Sequence, residues 1–118
     1  MKVLIVEDDL LLAEATADSL NAWGCEIAGM APNIDVGLRL ARQAQLHGAL
    51  LDINLRGARC FPIAEVLRER GIPFIFLTGY DDRSIIPRKF QAERCLSKPV
   101  DAAELLSGMI ARFRQTGE

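Results

Sequence analysis

Short apolar runs alternate with amphipathic stretches along the whole chain. KVLIV (2–6) is apolar at every position after Lys2, the pattern of a strand buried on both faces. From Leu10 to Trp23 the spacing of Leu12, Thr16, Leu20 and Trp23 is helical, and Gly24 stands where such a helix stops. CEIAGM (25–30) reads as a second, weaker strand. Asn33 is placed as the N-cap of a helix over 33–45, with Val36, Leu40 and Ala44 on one face. HGALLDINL (47–55) contains a third strand. Pro62 suits the first turn of a third helix, with Ile63, Val66 and Leu67 on one face and Gly71 at its end. PFIFLTG (73–79) supplies a fourth strand and ERCLSKP (93–99) a fifth. Asp101 and Glu104 form a capping-box pattern with Val100 and Leu105 as its staple. The last helix then carries an apolar stripe of Leu105, Leu106, Met109, Ile110 and Phe113.

Strands apolar throughout, separated by amphipathic helices, predict an α/β domain with a parallel sheet covered on both faces. One segment breaks the rhythm. DDRSIIPRKFQAER (81–94) should carry the fourth helix, but Pro87 falls in its middle, so one or two turns at most are expected. With few apolar anchors, residues 81–92 are expected to have low local stability and to be the mobile part of the chain.

Composition narrows the class. The 118 residues suit one domain over 1–118. A net charge of −2 gives no general attraction to nucleic acid or to an anionic membrane. No apolar run is long enough to span a bilayer, and the N-terminus does not read as a signal peptide. Cys25, Cys60 and Cys95 are odd in number and widely spaced, which argues against a disulfide framework or a zinc site and fits a reducing cytoplasm.

The strand ends hold the chemistry. The first ends in Glu7, Asp8 and Asp9, the third in Asp52, the fourth in Thr78 and Gly79, the fifth in Ser97, Lys98 and Pro99. In an open α/β sheet, ligands bind outside the carboxyl ends of the strands. If strands one and three are neighbours, Glu7, Asp8 and Asp52 converge, and three carboxylates in one cleft repel or take up protons. A hard cation such as Mg2+, taking carboxylate and carbonyl oxygens and waters, removes that conflict. Asp52 is then placed to accept a phosphoryl group as an aspartyl-phosphate. Lys98 and the Thr78 hydroxyl would neutralise and orient its oxygens. Asp9 reads as the cap of the first helix and not as a ligand.

VLIVEDD, LLDINL, FLTG and LSKP, in this order and each at a strand end, resemble the receiver domain of bacterial response regulators from Lys2 to about Arg114. The resemblance implies a flavodoxin-like doubly wound sheet of strand order 2-1-3-4-5 with a weak fourth helix. It implies Asp52 as phosphoacceptor, Glu7 and Asp8 as the acid pair for magnesium, and Asn54 as donor of a backbone carbonyl to the metal. Thr78 becomes the hydroxyl that moves towards the phosphoryl group, Lys98 the lysine beside it, and Lys98–Pro99 a cis bond. The partner implied is a sensor histidine kinase or a histidine phosphotransfer protein, with the chain a monomer or weak dimer and no external substrate turned over.

Two departures change the picture. Cys95 stands where the family usually places a switch aromatic, and Arg56-Gly57 replaces its proline-glycine turn. PFIFLTGY (73–80) is similar to the motif of FAT GUY single-domain receivers, with Leu77 in place of alanine. That class is associated with HWE-type kinases and implies a stand-alone shuttle or phosphate sink. Alternatives are a receiver cut from a longer DNA-binding regulator and a degenerate receiver acting by protein binding only. A flavodoxin-like cofactor carrier is disfavoured because EDDLLL would repel a phosphate. An aspartyl phosphatase is disfavoured because Asn54, where the second acid would stand, is an amide.

Other residues have plainer readings. Trp23 packs in the core or at a helix end, His47 lies at the surface, and Arg39, Arg42, Arg68 and Arg70 are solvated helix faces. Leu10 and Leu11 either pack or form an exposed rim for a helical partner. Tyr80 either shields an acyl phosphate or is an exposed loop ring.

Overall fold

In the computed structural model the described residues are 1–79 and 83–113. They form β1 (Lys2–Val6), α1 (Leu10–Ala22), β2 (Glu26–Ala31), α2 (Ile34–Gln43), β3 (Gly48–Asp52), β4 (Asn54–Leu55), β5 (Ala58–Arg59), α3 (Phe61–Glu69), β6 (Phe74–Thr78), β7 (Cys95–Ser97) and α4 (Ala102–Phe113). Five strands make one parallel sheet in the order β2-β1-β3-β6-β7. This is the expected flavodoxin-like 2-1-3-4-5 order, with β6 and β7 as its fourth and fifth members.

Alternation along the strands divides the core in two. Leu4, Val6, Leu51, Phe74 and Phe76 face α2 and α3, meeting Ala41, Ile63 and Leu67. Val3, Ile5, Leu50, Ile75 and Leu77 face α1 and α4, meeting Ala13, Leu20, Leu105 and Phe113. Both faces of the sheet are therefore covered, as the continuous apolar strands require.

Capping follows the sequence. Asp9 accepts from Leu11 N (3.0 Å) and Leu12 N (3.3 Å), Asn33 from Val36 N (2.9 Å), and Asp101 from Ala103 N (2.7 Å). Each side chain satisfies amides that a helix start leaves without a partner. Gly24 and Gly71 follow α1 and α3 with φ of +86° and +72°, and Lys98–Pro99 is cis.

The structure departs from the sequence reading in four places. In α1 the buried stripe is Ala13, Ala17 and Leu20, and Leu12 is exposed. LLLAEATADSL is apolar on more than one face, which leaves the phase of its helix open to the smaller alanines. In α4 the buried stripe is Leu105, Gly108, Met109 and Phe113, with Ile110 outside it. After Asp52 the chain does not run on as strand but folds into an antiparallel hairpin of β4 and β5. Its turn residues Arg56 and Gly57 both have positive φ (52° and 89°), the conformation a two-residue hairpin loop demands.

The fourth difference is in the segment before β7. It has the two short turns expected, both 3-10, at Arg83–Ile85 and Arg88–Phe90. Yet it is anchored from Ile86 to Phe90, which are 3% and 1% exposed, so the expectation of few apolar anchors is corrected there. The Phe90 ring stacks on Phe61 (6.1 Å between centroids) and meets Phe74 and Phe76 edge-on (5.9 Å each). Arg68 lies over the same ring at 4.4 Å, donates to Lys89 O (2.7 Å) and pairs with Glu93 (2.6 Å). Arg112 reaches Glu93 (3.3 Å), and Lys89 pairs with Glu65. Arg70 donates to Ala41 O (2.5 Å). Arg68 and Arg70 are thus tethers between elements, not merely solvated charges. Trp23 packs against the α1 and α4 face, and His47 is exposed, its Nδ1 accepting from Lys2 N at 2.8 Å.

Candidate functional site

The carboxyl ends of β1, β3, β6 and β7 open into a cleft of about 490 Å³. Ladder bonds place its side chains. Glu7 N donates to Ala31 O (3.0 Å), Ile53 N to Leu77 O (2.9 Å) and Lys98 N to Thr78 O (2.6 Å). These bonds fix the backbone at Glu7, Thr78 and Lys98 and directly after Asp52. The side chains of Glu7, Asp8 and Asp52 consequently converge, with one carboxylate oxygen of each within 4.8 Å of the others.

Two of these acids, Glu7 and Asp52, are buried, as is Thr78. Lys98 Nζ donates to Glu7 Oε1 and to Asp52 Oδ2, 3.0 Å each. The remaining oxygens are also engaged: Asp52 Oδ1 accepts from Asn54 N (3.2 Å) and Glu7 Oε2 from Asp9 N (3.1 Å). Asp8 is partly exposed and pairs with Arg56 Nε at 3.6 Å. Asp9 borders the cleft but its side chain caps α1, as its position suggested. Asn54 and Gly79 also line the cleft. Tyr80, with Asp81 and Asp82, lies outside the described residues.

Electrostatics follow from crowding and burial. Burial pushes Glu7 up to about 7, helped by the neighbouring Asp52 charge and opposed by the bonds from Lys98 and Asp9 N. Burial lowers Lys98, but its bonds to Glu7 and Asp52 outweigh that and hold it above the ordinary lysine value. Because Glu7 binds its proton more tightly folded than unfolded, it adds stability below its ordinary value of 4.5 that is lost as pH rises towards 7. Without divalent cations, stability is expected to fall between pH 5 and 7 by up to about 3 kcal/mol from this group. Urea midpoints of the native chain and Glu7→Gln across that range check it, and the variant should lack the slope.

The donor set fits a hard divalent cation: all oxygen, convergent, and carrying more negative charge than Lys98 balances. Cys60 offers no competing nucleophile, since it is buried and burial pushes its thiol up. Arg59 and Ile85 also line the cleft, and neither was singled out from the sequence. The Arg56-Gly57 pair, a hairpin signal, was the available clue to Arg59.

A sequence model of the response regulator receiver domain matches residues 3–109. The chain belongs to that family. This receiver is 30% identical over 115 residues to the response regulator protein FleR of Pseudomonas aeruginosa, covering 94% of this chain and 24% of FleR. It is 27% identical over 120 residues to the transcriptional regulatory protein PdtaR of Mycobacterium tuberculosis, covering 97% of this chain and 58% of PdtaR. The chain thus spans from about a quarter to just over half of these curated relatives. Among solved structures it superimposes on SdrG from Sphingomonas melonis Fr1 with a TM-score of 0.82 at 32% identity, covering 94% of each chain. The signal receiver domain of a modulated diguanylate cyclase from Desulfovibrio desulfuricans G20 gives 0.85 at 30% identity, covering 97% of this chain and 94% of that one. Phosphoacceptor signalling is the activity of this receiver family. Among the described residues, no helix is long and apolar enough to cross a membrane.

Proposed function

We propose that Asp52 accepts a phosphoryl group from a histidine kinase or a histidine phosphotransfer protein, and that residues 1–118 act as one receiver unit in the cytoplasm. One observation carries the reading: a buried aspartate at a central strand end holds one oxygen on Lys98 and the other on the Asn54 amide, beside two further acids. Asp52 attacks phosphorus, a carboxylate oxygen–phosphorus bond forms, and the bond to the donor's nitrogen or oxygen breaks with its electron pair leaving on the donor. Lys98 compensates charge on Asp52 and then on the phosphoryl oxygens, and the Thr78 hydroxyl donates to one of them. Glu7, Asp8, Asp52 and the Asn54 backbone carbonyl would hold magnesium, which when bound neutralises the acids and the phosphoryl charge. The chain promotes its own phosphorylation and dephosphorylation and turns over no external substrate.

The finer role we read as a stand-alone shuttle or phosphate sink, as monomer or weak dimer, paired with an HWE-type kinase. The support is PFIFLTGY (73–80) and the absence of the usual aromatic at Cys95. The test is incubation with acetyl phosphate, with and without magnesium, read by intact mass. A phosphoryl-sized gain that needs magnesium is the expected result. No gain, with magnesium titration also silent, would leave a degenerate receiver that works by binding alone.

A further inference from the structure

The β4–β5 hairpin brings arginine to a cleft lined by four acids, Glu7, Asp8, Asp9 and Asp52. Arg59 lines that cleft, and its register sets it opposite Asn54, two residues beyond Asp52. The hairpin backbone is held firmly. Leu55 and Cys60 are buried on either side of its turn, and Cys60 N donates to Ile53 O at 3.0 Å. Arg59 is therefore fixed at its backbone while its long side chain stays exposed at the mouth of the cleft. The other cation inside, Lys98, is engaged by Glu7 and Asp52. At the turn, Arg56 is 82% exposed and pairs with Asp8 at 3.6 Å.

An anionic phosphodonor approaching Asp52 meets Glu7, Asp8 and Asp9 as well. Lys98 balances part of that charge as a point cation. A guanidinium presents a planar fork that matches two phosphoryl oxygens at once. We infer that Arg59 is a phosphodonor-binding residue, its guanidinium holding phosphoryl oxygens of the incoming donor at the mouth of the cleft. The inference rests on the reading of Asp52 as the acceptor. It has a consequence of two signs: the same positive charge that attracts the donor opposes a divalent cation at the acids.

The test uses Asp52→Asn protein, which keeps the cleft without the acceptor, and inorganic phosphate as probe at saturating magnesium. Binding is followed by amide shifts in NMR titrations, with magnesium titrated separately. Adding Arg59→Gln is expected to raise the phosphate half-saturation about tenfold and to tighten magnesium about two- to fivefold. Arg59→Lys should recover part of the phosphate binding. Arg56→Gln should tighten magnesium and leave phosphate unchanged. An unchanged phosphate titration in Arg59→Gln overturns the inference, as does a parallel loss of phosphate and magnesium binding, which marks a disturbed hairpin. Absence of phosphate binding in the Asp52→Asn parent overturns it too. The underlying reading fails separately, by the lack of mass gain in the native chain. Arg59-dependent phosphate binding would then stand without phosphoryl transfer.

Discussion

Asp52→Asn is expected to abolish phosphoryl gain from acetyl phosphate completely while leaving the fold intact. The amide matches the carboxylate in volume, so the buried neighbours Leu51 and Ile53 need not move. Its oxygen can still accept from Lys98, which lies 3.0 Å from Asp52 Oδ2. Its nitrogen then faces the Asn54 amide, which now lies 3.2 Å from Oδ1 and would lose an acceptor, at a cost of about 1 kcal/mol. Chemically the change is total. An amide has no anionic lone pair to attack phosphorus, and no other acid in the cleft shares the placement of Asp52. Asp8 is the more exposed and leans to Arg56, and Glu7 binds its proton up to a pKa of about 7. Removing Asp52 also removes a charge that pushes Glu7 up, so Glu7 should titrate lower in the variant. Intact mass checks the loss, and urea midpoints check the fold. A variant that still gains a phosphoryl group would place the acceptor elsewhere and sink the assignment.

Much of the cleft was legible because its residues sit directly after strands that the apolar runs reveal. KVLIV leads into Glu7 and Asp8, ALLD ends in Asp52, FIFLT ends in Thr78, and CLS leads to Lys98. A parallel sheet gathers such ends on one side, so naming the strands names the site. What escaped was governed by geometry shorter than a hydrophobic period. Strands of two residues, Asn54–Leu55 and Ala58–Arg59, offer no alternation to detect. Hence nothing local marks Arg59 as a cleft residue, although Arg56-Gly57 signals a turn. Pro87 interrupts the helical pattern around Ile86 and Phe90, whose four-residue spacing is that of a buried pair even without a continuous helix. The tethers of Arg68 to Lys89 O and Glu93 join positions more than twenty residues apart, which no local pattern can show. In α1, apolar residues on several faces left the choice between Leu12 and Ala13 to the closeness of packing against β1.

Phe90→Ala is expected to lower the stability of the whole domain by about 3–5 kcal/mol, against a total of about 5–15 kcal/mol for domains of this kind. The ring is 1% exposed and touches Phe61 of α3 and both Phe74 and Phe76 of β6. Its removal opens a cavity whose lining rings are held by β6 and α3, and these have little freedom to collapse inward. Arg68 also loses the face over which it sits at 4.4 Å, so the tether through Lys89 O and Glu93 is weakened as well. The alternative physical picture is a segment that melts by itself, in which case the loss would be local. The two are separable by experiment. Urea unfolding reads the domain as a unit, and amide hydrogen exchange reads residues 86–93 against β6. A fall in the urea midpoint together with faster exchange at Phe74 and Phe76 is the expected result. It follows from Phe90 sharing its contacts with a strand whose last residue, Thr78, lines the cleft. Faster exchange confined to 86–93, with an unchanged midpoint, would mean that this segment packs on the core without stabilising it. The anchoring of Ile86 and Phe90 would then not transmit to β6, and the cleft would be supported by the sheet alone.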